Sequence, residues 1–293
     1  MRKRYIIFVL TLTWVVMACA DGSMIFLDTN KLGYKEYLNP KDSSILIEIP
    51  AGSFIMGSKD CGDSAKPVHT VYLDKYYIGK YEVTNAQYKK FCEATRYSQP
   101  EDPGFSGMPD YFTLYPNYPV VNVNWNDIQF YCNWAGLRLP TEAEWEKSAR
   151  GIDGRKYPWG NKWDGSKCNH GSISRKRLTN NIGGMPLYAT IAYGPDASDG
   201  FGYTSPVGSF PTGLSPYGAY DMAGNVLEWC NDWYAPDYYK SSPDSNPTGP
   251  SSGSTCVVRD RYWGVNEDDF HVATRYRNYP ENKANSTGFR PAK

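Results

Sequence analysis

The chain has 293 residues, of which 31 are Lys or Arg and 31 are Asp or Glu, so its formal net charge at pH 7 is zero. No basic block interrupts this balance, and the sequence therefore lacks the electrostatic footprint of a nucleic-acid-binding protein. Aromatic residues make up 15% of the chain, with 25 Tyr and 9 Trp, which is enough for a hydrophobic core and for an aromatic surface besides.

The first residues have the features of an export signal. Three basic residues precede an apolar stretch that ends at Val16 and is shorter than the ~20 residues that a membrane-spanning helix needs. Ala18 is followed by Cys19, as in the bacterial lipobox, where the signal is cleaved and a lipid is attached to the cysteine. We therefore expect residues 1–18 to be a lipoprotein signal peptide and Cys19 to anchor the protein to the outer membrane or cell surface. A plain secretory signal with an incidental cysteine is the alternative.

The next segment and the start of the folded domain differ in pattern. Residues 19–44 are mostly polar and lack hydrophobic periodicity, so we interpret them as a tether. One domain is predicted over residues 45–293. It opens with strand patterns at residues 45–49, 53–56 and 68–73.

Three helices are predicted from capping residues and apolar spacing. Thr84 can cap a helix that continues to residue 94, and Asn126 can cap one that continues to residue 135. The third signal combines Thr141 with Glu144 in a capping box, and Gly151 marks the end of that helix. Beyond this point Gly, Pro, Asn, Asp and Ser dominate, which predicts a mixed α+β domain that is rich in irregular loops.

Six cysteines follow the predicted lipidation site, namely Cys61, Cys92, Cys132, Cys168, Cys230 and Cys256. An exported chain meets oxidising conditions, so disulfides are allowed, but the sequence does not choose among the possible pairings. The chain has no Cys-x-x-Cys pair, which argues against a zinc knuckle or a thioredoxin-like centre.

The C-terminal segment 257–290 sets contrasting polar and aromatic side chains inside a frame of β-formers and turn residues. No period of two or of 3.6 organises them, and Tyr, Arg and Asn are enriched where a surface recognises another molecule. We therefore predict a ligand-binding face on a scaffold that includes Trp263, Phe289 and Arg290. A polar loop without a ligand is the alternative. The face would consist of Asp260, Arg261, Tyr262, Asn266, Asp268, Asp269, Phe270, Thr274, Tyr276, Asn278 and Tyr279.

Six segments, in this order along the chain, resemble the signature segments of the formylglycine-generating-enzyme family. They are residues 49–57, 81–85, 138–146, 157–160, 224–229 and 288–290. The resemblance covers residues 45–291, nearly the whole predicted mature chain. It implies the C-type-lectin-like fold of that family, which is mixed α+β with little regular structure.

The resemblance does not extend to the catalytic centre of the family. Those enzymes oxidise a substrate cysteine with a pair of cysteines before the Gly-Phe-Arg segment, where copper is bound by the soft thiolates that Cu(I) requires. Here no cysteine follows Cys256, and His69 and His271 stand alone in the sequence. We therefore expect no copper and no enzymatic activity. An exported oxidoreductase with an unrecognised metal site is the alternative.

A second departure concerns the segment from Arg259 to Trp263, where the family usually has Arg-Gly-Gly-Ser-Trp and this chain has large polar residues between the two anchors. A lipoprotein signal, this scaffold and a diversified segment together resemble the variable surface lipoproteins of bacterial diversity-generating retroelements. In those systems adenine-directed mutagenesis converts asparagine codons to Tyr, Asp, Ser, His or Phe. The resemblance implies that residues 257–290 vary and that the partner is a protein or another surface ligand.

The resemblance also implies calcium, because members of the family often bind Ca²⁺ with carboxylate, amide and backbone oxygens. By motif match, a first site consists of Asn169, Asp199 and the backbone oxygens of His170 and Phe201. A second site consists of Asp221, Glu228 and the backbone oxygens of Met222, Gly224 and Val226. The alternative is that these side chains cap loops and bind nothing.

Overall fold

The computed structural model describes residues 23–171, 197–265 and 270–293, together with the backbone of residues 175–177 and 188–190. The predicted signal peptide and Cys19 lie outside the described residues. The same is true of three residues of the predicted ligand-binding face, Asn266, Asp268 and Asp269.

The N-terminal part of the chain forms a four-stranded antiparallel sheet and a two-stranded ribbon. The sheet has the order β1-β2-β3-β6, with β1 at Ile25–Thr29, β2 at Lys35–Leu38, β3 at Ile45–Ile49 and β6 at Tyr76–Gly79. The ribbon pairs β4 at Gly52–Met56 with β5 at His69–Leu73. The three predicted strands are confirmed, with bounds shifted by one residue at most.

The prediction of a tether over residues 19–44 is wrong from Ile25 onward. Strands β1 and β2 form a hairpin, and β2 pairs with β3 at Glu36, Tyr37 and Leu38. Ladder hydrogen bonds to a strand later in the chain stabilise this segment, and hydrophobic periodicity within it gives no sign of them. The folded domain therefore begins well before residue 45.

Three of the four helices in the described part of the chain carry the reciprocal hydrogen bonds of a capping box. The helices are α1 at Asn85–Thr95, α2 at Tyr111–Leu114, α3 at Trp125–Ala135 and α4 at Glu142–Arg150. The predicted caps at Thr84 and Thr141 are confirmed, whereas Asn124 and not Asn126 caps α3. The Asn124 side-chain oxygen accepts from the backbone N–H of Asp127, and the Asp127 carboxylate accepts from the backbone N–H of Asn124. No described helix has the length and apolar character needed to cross a membrane.

A second sheet carries the C-terminal segment and has the order β11-β10-β9-β12. Its strands are β9 at Leu227–Trp233, β10 at Cys256–Arg259, β11 at Tyr276–Asn278 and β12 at Thr287–Gly288. A short pair, β7 at Arg175–Arg177 with β8 at Tyr188–Thr190, and three 3-10 turns, Asp63–Ala65, Gly165–Lys167 and Tyr238–Lys240, complete the described elements. The mixed α+β prediction is confirmed.

Strand β10 separates the two largest hydrophobic clusters of the molecule. Val258 packs in the cluster around Tyr131 and Trp229, and Val257 packs in the cluster around Trp145. Successive side chains of a strand point to opposite faces, so both faces of β10 are buried. The C-terminal segment therefore starts from one of the most fixed positions in the fold.

Candidate ligand-binding face

Two buried arginines hold the ends of the loop that contains most of the predicted face. Arg259 closes β10 and Arg275 immediately precedes β11, and each donates to Glu142 at 2.7 Å. Arg259 also donates to Glu146 at 2.8 Å. These four side chains are at most 2% exposed, and both carboxylates belong to α4. Loop 260–274 is thus clamped at both ends to one helix.

The charges in this clamp are matched. Burial alone would raise the pKa of Glu142, but Arg275 and Arg259 outweigh it and lower that pKa. Burial is likewise outweighed at Glu146, whose pKa is lowered by Arg259 and Arg150. Both carboxylates are therefore ionised at neutral pH. Removing one partner of such a buried pair leaves an uncompensated charge and costs about 3–5 kcal/mol.

Arg261 and Tyr276 are the best-defined pair of the predicted face. The guanidinium carbon of Arg261 lies 4.1 Å from the ring centroid of Tyr276, within the range of a cation–π contact. Tyr262 is half-buried and packs edge-on against Trp263, with ring centroids 5.6 Å apart. Tyr262 therefore lies beside the buried scaffold tryptophan, whereas Tyr276 packs partly against the cluster that contains Val258.

Two further members of the predicted face, Asn278 and Tyr279, lie on and directly after β11, and Thr274 lies before that strand. Asn278 accepts hydrogen bonds from the backbone of Tyr279 and from the side chain of Asn282, at 2.9 and 2.6 Å. Tyr279 is 53% exposed. Thr274 is half-buried, and its hydroxyl lies 3.5 Å from the Cys61 sulfur. Thr274 therefore sits at the junction with the loop after β4, apart from Tyr279.

The predictions for Phe270 and Asp260 are wrong, because both side chains are buried. Phe270 is 1% exposed and packs against Trp163, with ring centroids 5.0 Å apart. Asp260 is 6% exposed, adopts a positive φ of 73°, and accepts from the backbone of Gly224 at 3.0 Å and of Arg261 at 2.6 Å. Both residues belong to the scaffold.

Sequence reasoning also missed a neighbour of the face. Arg277 is exposed on the edge strand β11, and its guanidinium carbon lies 5.3 Å from the ring of Tyr234. Side chains alternate along a strand, so Arg277 extends to the side opposite Tyr276 and Asn278. The alternation of side chains along an edge strand is the sequence signal that could have identified Arg277.

The described part of loop 260–274 does not fit copper, because it contains no cysteine. Val265 and Phe270 are both buried in one apolar cluster with Tyr157, Cys168 and Ala223. The six described cysteines are all free and all precede the loop, and Cys61 is the one that is not buried. Burial raises the pKa of Cys61, which favours the thiol over the thiolate that Cu(I) requires.

The two histidines considered as replacements are engaged in local contacts. His271 Nε2 lies 3.2 Å from the Ser58 hydroxyl, and burial together with Arg150 and Lys156 lowers the pKa of His271 to about 4. His69 Nδ1 lies 2.9 Å from the Pro67 carbonyl oxygen. Within the described ranges, no group of three or more His, Cys, Asp or Glu side chains is placed to hold a metal.

The residues of the first calcium site are gathered and fit a hard cation. Asn169 is 1% exposed, and its amide nitrogen donates to the Tyr203 carbonyl and to Asn225 at 2.9 and 3.0 Å. Its amide oxygen is buried and has no hydrogen-bond partner among the residues that the structure describes. The Asp199 carboxylate accepts from the backbone of His170 at 2.7 Å and of Phe201 at 2.9 Å. An orphaned buried amide oxygen, with the Asp199 carboxylate bound to the backbone of the next residue, suits Ca²⁺.

The second site fits less well. Both oxygens of Glu228 accept hydrogen bonds from Arg290 at 2.6 Å, and one also accepts from the Trp145 indole at 2.6 Å. Asp221 accepts from the backbone of Gly208 at 2.7 Å, and burial raises the pKa of Asp221 to about 6. Glu228 is thus neutralised by an arginine, and the arrangement fits a buried ion pair better than a calcium ligand.

Comparison with known proteins identifies the family and the fold. A family model described as the sulfatase-modifying factor enzyme 1-like domain matches residues 36–293. The formylglycine-generating enzyme of Thermomonospora curvata is 35% identical, over 84% of this chain and 92% of that protein. The structure of PvdO from Pseudomonas aeruginosa has a TM-score of 0.70 at 28% identity, over 88% of this chain and 97% of that one. Treponema denticola variable protein 1 shares the fold, with a TM-score of 0.62 at 24% identity, over 92% of this chain and 98% of that one.

Proposed function

The chain belongs to the sulfatase-modifying factor enzyme 1-like family, and we propose that it uses the family scaffold to bind ligands at the cell surface and performs no catalysis. Its lipid anchor is Cys19, and its binding face is the outer side of the C-terminal segment. The described members of that face are Arg261, Tyr262, Thr274, Tyr276, Asn278 and Tyr279. The buried Asp260 and Phe270 are left out.

The observation that carries this proposal is the division of loop 260–274 into a fixed inner side and a polar, aromatic outer side. Val265 and Phe270 fill the inner side with apolar contacts. Arg261 makes a cation–π contact on the outer side with Tyr276 of β11. Tyr276 itself is half-buried and packs partly against the cluster that contains Val258. Arginine and tyrosine are enriched among the residues that dominate the energetics of recognition surfaces. Tyrosine also provides large contact area at a low cost in conformational entropy. A clamped frame lets the outer side chains change without unfolding the domain.

We further propose that this outer side varies by the mechanism of diversity-generating retroelements. The neighbour with the shared variable-protein fold is compatible with this but supports the fold alone. The test is genomic: a near-copy of the sequence encoding residues 257–290, differing mainly at adenines, should stand beside a reverse transcriptase gene. A genome without any such copy would contradict the variability, though not the binding.

The competing function is the activity named for the relatives, since several formylglycine-generating enzymes are 33–35% identical to this chain. It is tested by incubating the protein with Cu(I), oxygen and a cysteine-containing peptide that the Thermomonospora curvata enzyme converts. Peptide mass then reports oxidation of the cysteine to an aldehyde. We expect no conversion by this chain. Conversion at a rate near that of the control enzyme would establish catalysis and overturn the proposal.

Calcium has a structural role in the proposed function. Asn169 and Asp199, with the backbone oxygens of His170 and Phe201, would hold the ion and tie the loop around Asn169 to the loop around Asp199. The orphaned oxygen of Asn169 supports this site. Calcium there would supply a fixed point beneath Gly171, which packs against Trp263 and Gly264 at the base of the binding face.

A further inference from the structure

The N-terminal hairpin of the first sheet carries a concentration of exposed apolar side chains. Among the described residues, Phe26 is 54% exposed, Leu27 44% and Leu32 49%. Three of the ten large apolar side chains that are exposed thus fall within seven consecutive residues. Exposed apolar residues scattered singly are ordinary, but such a concentration in one hairpin is typical of a surface that meets another apolar phase.

This group lies at the open edge of a sheet. Strand β1 is the terminal strand in the order β1-β2-β3-β6, so in the described part of the chain its outer backbone groups pair with no further strand. Phe26 packs edge-on against Tyr37 at 5.6 Å, and Tyr37 packs edge-on against Tyr77 at 5.3 Å. An exposed apolar edge strand invites pairing with other chains, and natural proteins cover or blunt such edges.

The position of this edge along the chain indicates what covers it. Only five residues separate Cys19 from Ile25, so six Cα–Cα steps join them. Even when fully extended, six such steps span about 20 Å. An acyl-modified Cys19 has its lipid in the hydrocarbon layer, so β1 cannot move far from the headgroup region. This step rests on the lipid anchor of the proposed function.

The side chains of the hairpin suit a membrane interface. Phenylalanine, leucine and tyrosine partition into the boundary between headgroups and acyl chains, and lysines beside them reach the headgroups. Lys31 and Lys35 are both exposed and flank Leu32 in and after the turn. These two lysines balance Asp28 and Glu36, so the hairpin has no excess of the negative charge that anionic lipids would repel.

We propose that the β1–β2 hairpin, residues 25–38, docks onto the bilayer to which Cys19 is attached. Phe26, Leu27 and Leu32 enter the interface and cover the open edge of β1. The lipid and the hairpin then form two points of attachment. The domain is held at the membrane in a fixed orientation and does not swing on a flexible tether.

Hydrogen exchange measured by mass spectrometry tests this docking. The acylated full-length protein is placed in phosphatidylethanolamine–phosphatidylglycerol vesicles and compared with the Cys19→Ser protein in buffer. We expect peptides covering residues 24–35 to exchange slower in vesicles, on the order of tenfold, while peptides around Leu114 are unchanged. Acylated Phe26→Asp/Leu27→Asp protein should lose this protection. Acylated Leu114→Asp, a matched change at another exposed apolar site, should keep it.

The outcomes separate the docking from the anchor. Intact mass without an acyl group at Cys19 would refute the anchor and the docking with it. Acylated protein with equal exchange in vesicles and in buffer would overturn the docking alone. Protection in buffer that grows with protein concentration would mean that a second copy covers β1, which also overturns docking to lipid. A thermal melt confirms that the hairpin variants remain folded.

Discussion

The guanidinium carbon of Arg261 lies 4.1 Å from the ring of Tyr276, and the two residues approach each other from opposite ends of one loop. Arg261 is two residues after the buried Arg259, and Tyr276 directly follows the buried Arg275. The recognition side chains are therefore adjacent in sequence to the clamp that holds the loop. In the proposed function, variable positions therefore lie one or two residues from buried, ion-paired positions.

The division between buried and outer side chains predicts two classes of substitution within the C-terminal segment. Arg261→Ala and Tyr279→Ala should each change the free energy of unfolding by no more than ~0.5 kcal/mol, as surface substitutions do. Phe270→Ala should cost about 3–5 kcal/mol, because it empties a site packed against Trp163. Denaturant titration of the three variants measures the difference. Equal losses at all three positions would mean that the outer side chains are part of the core.

The clamp predicts a specific response to acid. The pKa of Glu142 is lowered below its ordinary value of 4.5 in the folded state, so the native protein binds fewer protons there than the unfolded chain. Its stabilising contribution is present above pH ~4.5 and is lost as pH falls through the lowered pKa. Glu142→Gln should be less stable at pH 7 but lose less stability between pH 5 and 3, both pH values being approximate bounds of this window.

Unfolding by denaturant at a series of pH values gives this comparison. Glu93→Gln, at an exposed position on α1, is the matched control and should retain the acid dependence of the parent protein. A Glu142→Gln curve parallel to that of the parent would show that Glu142 is not responsible for the acid limb.

Lipid attachment at Cys19 predicts where the protein is found after cell fractionation. The parent protein should stay with membranes through washes without detergent, whereas Cys19→Ser should be released, because one hairpin alone buries too little apolar surface for stable attachment. Immunoblotting of the washed membranes and of the wash measures the bound and the released fractions of the protein. Retention of Cys19→Ser at the level of the parent would place the anchor elsewhere. Cys61→Ser is a control that leaves the attachment unchanged.

Calcium predicts a stability difference that chelation reveals. An ion bound to the folded state alone stabilises it, by about 2.7 kcal/mol at a concentration of 100 times the Kd. For a domain of this size each kcal/mol shifts the melting midpoint by about 2–4 °C. EGTA should therefore lower the midpoint of the parent protein. Asn169→Ser should no longer respond to EGTA, while Asn133→Ser, at an exposed site, should respond as the parent does. If EGTA does not change the midpoint of the parent protein, and elemental analysis finds no calcium in it, the prediction of a calcium site is wrong.

The features that sequence predicts well here are those set by neighbours in the chain. The capping box of Thr141 and Glu144 needs residues three apart, and the structure forms it with both hydrogen bonds. The order of the signature segments likewise predicts the fold, and two of these segments pair directly where Gly288 of β12 lies beside Glu228 of β9. In contrast, β1 and β2 gain their stability from β3, so their local pattern resembled a polar tether.

Burial within the loop was the hardest property to predict. Phe270 packs against Trp163, which lies more than a hundred residues earlier in the chain, and no local sequence pattern predicts that contact. Asp260 stands where the family usually has glycine, and the positive φ of 73° retains the backbone that glycine favours. Its carboxylate is buried and accepts a hydrogen bond from the backbone N–H of Gly224. Polar identity alone therefore does not place a side chain on the surface.

The central claim is tested most directly by comparing two libraries of the displayed protein. One randomises the outer positions Arg261, Tyr262, Tyr276 and Tyr279. The other randomises four exposed apolar positions elsewhere, Tyr72, Leu114, Phe130 and Ile152. Both are sorted by flow cytometry, first for folded protein and then for binding to a panel of unrelated proteins.

We predict that most members of the first library remain folded and that it yields binders of different specificity, while the second yields few or none. Two results would contradict the account. One is a first library that is largely unfolded, which would make the outer side chains structural. The other is an equal yield of binders from both libraries, which would deny the C-terminal segment any special role in recognition.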